Sequence, residues 1–234
     1  NNDDIYKIDP NNVGLCVIIN QKKFYLEPDD SFRLLLPLDL RPLDEREGTD
    51  KDKEKLKCTF EKFGFEILIL ENRTHLELIK DLENITSNKF SKKHSCLVVC
   101  ILSHGIKDAV FGVNSIPVDI CDIENIMYGK YSSNLIGKPK ILIIQSCQGE
   151  PCQTVPEKSD LLVCCSTIPG YASIRSKSTG TWFIQALCDK LLTEANSKHF
   201  IDILTYVTRD ISSKRWNKCM VPQFRSTLTK NLYL

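Results

Sequence analysis

Five short runs rich in aliphatic and β-branched residues constrain this chain more than any other feature. Gly14 to Asn20 (Gly-Leu-Cys-Val-Ile-Ile-Asn), Cys96 to Leu102, Lys140 to Ile144 and Leu161 to Cys165 are almost continuously apolar, and Phe65 to Leu70 is β-rich. A strand with one wet face alternates polar and apolar residues. A run without alternation has to be covered on both faces, which is the situation of strands in a parallel sheet.

The segments between these runs carry helical spacing. From Thr49, the positions Leu56, Phe60 and Phe63 fall on one stripe, and Gly64 supplies a C-terminal stop. Thr74-His-Leu-Glu77 is a capping box, which predicts a helix with Leu76, Ile79, Leu82 and Ile85 turned inward. Two amphipathic helices are expected at about Thr181 to Ala195 and His199 to Ile211. Strands alternating with helices predict an α/β fold: a mostly parallel central β-sheet flanked by helices on both faces. In such sheets ligands sit at the carboxyl ends of the strands. Glu27 to Glu47 reads as a loop with a short apolar turn at Leu34 to Leu36, the stretch between Leu102 and Lys140 as a polar segment, and Val221 to Leu234 as an edge or interface strand. No repeat or low-complexity tract interrupts the 234 residues, which read as one domain.

Thirty-one basic against thirty acidic side chains leave a formal charge of +1, so bulk electrostatics favour neither nucleic acid nor a membrane surface. Lysines cluster at Lys51 to Lys57, where acids alternate with them as on a solvated helix face, and at Lys92 and Lys93. No apolar stretch reaches the roughly 18 to 20 residues that span a bilayer, and the polar, acidic start is unlike a signal peptide. Beginning at Asn1, the chain reads as a processed or trimmed product. Eleven cysteines, several inside apolar runs, suit a reducing compartment and predict a cytoplasmic protein. That thiol content also argues against use of the sequons at Asn72 and Asn84. No Cys-x-x-Cys pair or zinc spacing occurs, so neither a metal nor an organic cofactor is implied.

Two of the apolar runs end in reactive side chains. His104 follows Cys96 to Leu102, and Cys147 follows Lys140 to Ile144. If those strands are parallel neighbours, a thiol and an imidazole emerge at one sheet edge, where imidazole can hold the thiol proton and later protonate a leaving amine. The N–H of Gly105, open to close approach, and that of Cys147 then suit a developing oxyanion. A cysteine among eleven is also a small packed hydrophobe, and a histidine after a strand is also a structural group. Spacing alone leaves both readings open.

Gln145-Ser146-Cys147-Gln148-Gly149 resembles the nucleophile signature of the caspases, Gln-Ala-Cys-(Arg, Gln or Gly)-Gly, with a histidine upstream in Leu-Ser-His104-Gly. Arg46-Glu-Gly-Thr-Asp50, Gly137-Lys-Pro-Lys140, Ser166-Thr-Ile-Pro-Gly-Tyr171, Gly180-Thr-Trp-Phe-Ile-Gln185 and Leu228-Thr-Lys-Asn-Leu-Tyr233 are also similar to caspase segments, in the family's order. The resemblance runs from about Asn11 to the C-terminus. It implies a cysteine endopeptidase cutting after aspartate, with Cys147 as nucleophile, His104 as acid and base, and Gly105 and Cys147 supplying the oxyanion N–H groups. It implies an aspartate pocket of Arg46, Arg175 and Gln145, since planar guanidinium groups grip a short carboxylate bidentately. It implies that substrate lies as an added strand along Ser173-Ile174-Arg175, with Trp182 near by and Trp216 as a wall for distant subsites.

The same resemblance implies a large-subunit part at about 1–149, a small-subunit part at about 161–234, and a linker at 150–160 that is short and lacks aspartate before Asp160. It further implies a homodimer through the last strand, roughly Met220 to Leu228, an upstream adaptor and protein substrates, and leans toward initiators of the death-receptor or insect immune type. Ser146 departs from the usual alanine, and Ala172 and Ile174 stand where aromatic residues often form the second subsite. The competing reading is a caspase-like pseudoenzyme that regulates an active partner.

Overall fold

The computed structural model describes residues 3–129, 132–147, 159–168, 171–214 and 220–234. In chain order the elements are β1 (Gly14–Asn20), a 3-10 turn (Asp30–Leu35), α1 (Thr49–Lys62), β2 (Phe65–Glu71), α2 (His75–Asn84) running into a π-turn (Ile85–Lys89), and β3 (Cys96–Leu102). A small meander of β4 (Gly105–Ile106), β5 (Ala109–Phe111) and β6 (Pro117–Asp119) leads into α3 (Ile120–Met127). Then come a 3-10 turn (Ser133–Leu135), β7 (Lys140–Gln145), β8 (Leu161–Cys165), β9 (Arg175–Ser176), β10 (Gly180–Thr181), α4 (Trp182–Glu194), α5 (Phe200–Ser212) and β11 (Gln223–Ser226).

Six strands form the central sheet in the order β11-β8-β7-β3-β1-β2. Every pairing in it is parallel except that of β11 with β8. All residues of β1, β3 and β7 are buried, as their unbroken apolar runs require. Because side chains alternate across a strand, each run feeds two cores. On one face Ile18, Val98, Cys100 and Ile143 pack with Leu56 and Phe60 of α1, Leu187 of α4 and Val207 of α5. On the other, Val17, Val99, Leu142 and Ile144 pack with Leu78 and Leu82 of α2 and Ile123 of α3. The expected α/β layering, helices on both sides of a mostly parallel sheet, is the one observed.

Local differences have local causes. The capping box at Thr74 and Glu77 forms, but Leu76 is 59% exposed and Leu78 is the buried residue. The inward stripe is Leu78, Leu82 and Ile85, at the i, i+4, i+7 spacing, which leaves Leu76 about 200° away around the axis. Strands of two or three residues, such as β4 to β6, are too short to show alternation, so the polar segment hid a meander and a helix. Glu27 to Glu47 is irregular as expected, apart from the turn at Asp30–Leu35. The sheet edge forms at β11, within the segment read as an edge strand.

Asp160 fastens three parts of the chain at the start of β8. Its carboxylate accepts from Tyr6 Oη at 2.6 Å and Thr229 Oγ1 at 2.7 Å. Its N–H donates to Thr227 O at 2.8 Å, and its carbonyl accepts from Lys140 N at 2.9 Å. Burial opposes ionisation here, but the bonds from Tyr6 and Thr229 and the charge of Lys140 hold the carboxyl below its ordinary value. Tyr6→Phe removes one donor from this nearly buried carboxylate and should cost about 1–3 kcal/mol. Urea unfolding of the variant against the parent should show that loss as a lower midpoint at unchanged slope.

Candidate functional site

The register of β3 against β7 places Leu102 opposite Gln145. Two residues beyond each come His104 and Cys147, so both leave the carboxyl edge of the sheet side by side. They border a cleft of about 550 Å³, whose remaining lining among the described residues is the run from Tyr171 through Ala172, Ser173, Ile174 and Arg175. Cys147 is partly exposed and unpaired.

Gly105 explains how closely the two strand ends approach. A Cβ built there would lie 2.6 Å from Cys147 O and 2.6 Å from Ser146 Oγ. Backbone at this position therefore meets backbone, and only glycine fits.

His104 is oriented by a main-chain group. Its Nε2 sits 2.8 Å from the carbonyl oxygen of Asp44. A carbonyl only accepts, so Nε2 carries the proton and Nδ1 is the nitrogen able to take one. The Phe24 ring packs against the imidazole at 4.9 Å between centroids. Burial pushes the imidazole pKa below 6.5; the contact with Asp44 opposes this, and the charges of Arg46 and Arg175 reinforce it. The ring is thus neutral near pH 7.

Arg46 is only 1% exposed. Its Nη1 donates to Gln21 O at 3.0 Å and Thr49 Oγ1 at 2.6 Å. Its Nε is buried without a partner among the described residues. Burial and the neighbouring Arg175 pull its pKa down to about 9, against the pull of Asp52 and Cys147. Arg175 stands at the cleft wall, its Nε donating to Glu47 O at 3.0 Å. Gln145, the last residue of β7, donates from Nε2 to Ser173 Oγ at 2.5 Å and keeps Oε1 buried without a partner. Ser173 and Ile174 are backed by Met220, whose sulfur accepts from Ser173 Oγ at 3.5 Å and Ile174 N at 3.3 Å.

The structure thus brings together His104, Gly105, Cys147, Arg46, Gln145, Ser173, Ile174 and Arg175. Trp182 does not line the cleft. It opens α4, donates its N–H to Ile174 O at 3.3 Å and packs beside the core, with Lys214 Nζ 5.1 Å from its ring centroid. Trp216, Gln148 and Gly149 lie outside the described residues, as do 150–158 of the expected linker.

Three contributors escape sequence reasoning. Asp52 lies within the charged Lys51 to Lys57 stretch that reads as a solvated helix face, yet it is fully buried. It accepts from Thr181 N at 2.8 and 3.1 Å and from Gln185 Nε2 at 3.0 Å. There it is the carboxylate whose field reaches both Arg46 and Arg175. The Asp44 carbonyl and the Met220 sulfur carry no sequence signature at all. Among the described residues no cluster of three metal-ligating side chains occurs.

Gly105→Ala should destabilise the fold by about 1–3 kcal/mol through overpacking. It should also slow alkylation of Cys147, measured by mass spectrometry of the iodoacetamide-treated protein, by displacing the strand end that carries the thiol. NMR titration of the His104 ring should give a midpoint below 6.5. Since the folded state binds that proton more weakly than the unfolded chain, this group's effect removes stability as pH falls from about 6.5 through the lower folded value.

The chain matches the Caspase domain family model over residues 13–233. It is 39% identical to "Caspase-8" of Drosophila pseudoobscura pseudoobscura across 95% of this chain and 45% of that protein. The "Caspase-8" of Drosophila melanogaster is 37% identical over 98% of this chain and 49% of its own length, so the chain spans about half of these fly relatives. "Caspase-3" of Mesocricetus auratus is 33% identical over 99% of this chain and 87% of its length. A family match over nearly the whole length, on a sheet that carries the Cys147 and His104 motifs on adjacent strand ends, makes this chain a member of the caspase family.

Proposed function

We propose that this chain is the catalytic domain of a cysteine endopeptidase that cleaves peptides after aspartate. Arg46 carries the reading. It is a fully buried guanidinium with an unpartnered Nε and no ion pair among the described residues, placed close enough to Arg175 and Cys147 for their charges to act on it. Two such cations beside a nucleophile suit a substrate carboxylate, and a pocket of fixed depth favours aspartate over glutamate.

In this reading Cys147 Sγ attacks the carbonyl after the substrate's aspartate as His104 Nδ1 holds the thiol proton. The carbonyl oxygen, negative in the tetrahedral intermediate, is met by the N–H groups of Gly105 and Cys147. Collapse breaks the C–N bond, and the proton held on His104 goes to the leaving amine. Water then attacks the thioester, giving its proton to His104, and expulsion of the thiolate restores the pair. Substrate runs along Ser173, Ile174 and Arg175, a segment bordering the cleft and backed by Met220 and Gln145. The aliphatic side chains of Ala172 and Ile174 support a second subsite less aromatic than is usual in the family.

The caspase names of its relatives support a role in apoptosis or immune signalling, and the two fly matches support the initiator lean. We assign 1–149 and 161–234 as the large and small parts of one domain, consistent with a central sheet that draws strands from both. The edge position of β11 supports a homodimer through this strand, with an adaptor reaching any upstream module. A cytoplasmic setting is supported by the nine described cysteines, none of which forms a disulfide. No described helix is long and apolar enough to cross a membrane.

The test compares fluorogenic tetrapeptides ending in aspartate, asparagine and glutamate, in kosmotropic salt that favours dimers. The aspartate peptide alone should turn over, Cys147→Ala should abolish it, and Arg46→Ala or Arg175→Ala should lower kcat/KM by about 100-fold or more. Silence from folded dimers would favour the pseudoenzyme, which regulates a partner instead.

A further inference from the structure

At the opposite end of β3 and β7 lies a second concavity, of about 320 Å³. His94 and Ser95, just before β3, and Gly137 to Pro139, just before β7, form part of its wall. Strands of six or seven residues at about 3.3 Å each put it roughly 20 Å from the Cys147 cleft. It is separate from that cleft and shares no described residue with it.

Its charge is one-sided. Lys7, Lys92, Lys93, Lys138 and Lys230 line it, and Asp3 is the carboxylate among the lining residues. In a chain of thirty-one cations and thirty anions this is a local excess. Elsewhere Lys22 pairs with Asp50, Lys53 with Glu71, Lys55 with Asp189 and Lys190 with Asp210, while Lys57, Lys62 and Lys80 stand singly without an ion pair among the described residues. Here Lys230 reaches Asp3 at 3.6 Å and His94 reaches Glu66 at 3.5 Å, while no ion pair among the described residues engages Lys7, Lys92 or Lys93.

The cavity is also braced. Lys138 Nζ donates to the carbonyls of Lys92 at 2.8 Å and His94 at 2.5 Å, and stacks 5.1 Å from the Phe90 ring centroid. This fixes the turn that presents Lys92 and Lys93. The N-terminal side is held by Tyr6 N donating to Asn231 O at 3.1 Å, next to Lys7 and Lys230. Unlike the Cys147 cleft, which the guanidinium of Arg175 borders, this cavity takes its charge from lysines among the described lining residues. Ammonium groups are compact point charges without planar demands, and several of them around one concavity suit a compact, multiply charged anion such as linked phosphates.

We infer that this lysine-lined cavity binds a compact oligophosphate, two or three linked phosphate groups, at a site remote from the Cys147 cleft. Lys7, Lys92, Lys93 and Lys230 surround the phosphates and Lys138 holds the turn. Free oligophosphate and the phosphate chain of a nucleotide share this chemistry.

Isothermal titration of the whole chain at low and moderate salt would use inorganic triphosphate, ATP and citrate as probes, with the Lys92→Ala/Lys93→Ala double variant, Lys7→Ala, and Lys80→Ala on an exposed face of α2 as control. One-to-one binding of triphosphate should weaken about tenfold or more in the double variant and in step with salt, while Lys80→Ala stays at parent affinity. Lys7→Ala should also weaken it, which keeps the test open should the double variant misfold. Equal binding of ATP identifies the phosphate chain in either source, and binding of triphosphate alone identifies the free anion. Absence of binding at millimolar triphosphate, unchanged affinity in the folded Lys92/Lys93 and Lys7 variants, citrate binding as tight as triphosphate, or binding of ATP alone would each overturn the inference.

Discussion

The alignment of β3 with β7 is the constraint on which the rest of the molecule hangs. Side chains in a strand alternate with a period of two, so a slip of one residue would turn every apolar side chain of β3 toward the wrong core. Both faces are dry: Val98 and Cys100 serve one core, Leu97 and Val99 the other. The Leu102–Gln145 pairing is therefore held by the packing of both layers rather than by anything at the cleft. His104 and Cys147 inherit their mutual placement from that pairing, and Gly105 lets the two strand ends close the last distance.

Around this frame the electrostatics are arranged at some expense to folding. A guanidinium with a pKa near 9 is one that the protein would rather not ionise. Its nearest cationic neighbour, Arg175, makes that worse, and Asp52 compensates from below without a direct hydrogen bond to either. Such a site resembles a receptor held open: an arriving anion relieves a burial penalty already present in the folded state. The neutral imidazole of His104 belongs to the same balance, since two nearby arginines and burial act on it in the same direction.

How much of this was legible in the sequence depended on what kind of fact was being read. Unbroken apolar runs announce a two-sided sheet, because burial on both faces is the state that tolerates them. The positions of His104 and Cys147 at the ends of two such runs announce a meeting point. Leu76 and Leu78 show where the period fails: two leucines on one short helix, and only the packed structure says which faces inward. Asp52 looked solvated because its sequence neighbours are charged, whereas its burial is decided by Thr181, 129 residues away. The Asp44 carbonyl belongs to a group that every residue carries, so no residue pattern could mark it. The small meander after β3 was hidden for a simpler reason, namely that two-residue strands have no period.

The knot at Asp160 has a mechanical consequence. β8 lies inside the sheet, hydrogen-bonded to β7 on one side and β11 on the other, while Tyr6 and Thr229 tie Asp160, the residue just before it, to both tails of the chain. Tension on the connection between Cys147 and Ser159 is therefore borne by anchors that do not pass through it. A backbone cut anywhere in that connection would leave two pieces gripping each other across a continuous sheet, so the integrity of the assembly and the continuity of the chain are separate properties of this fold.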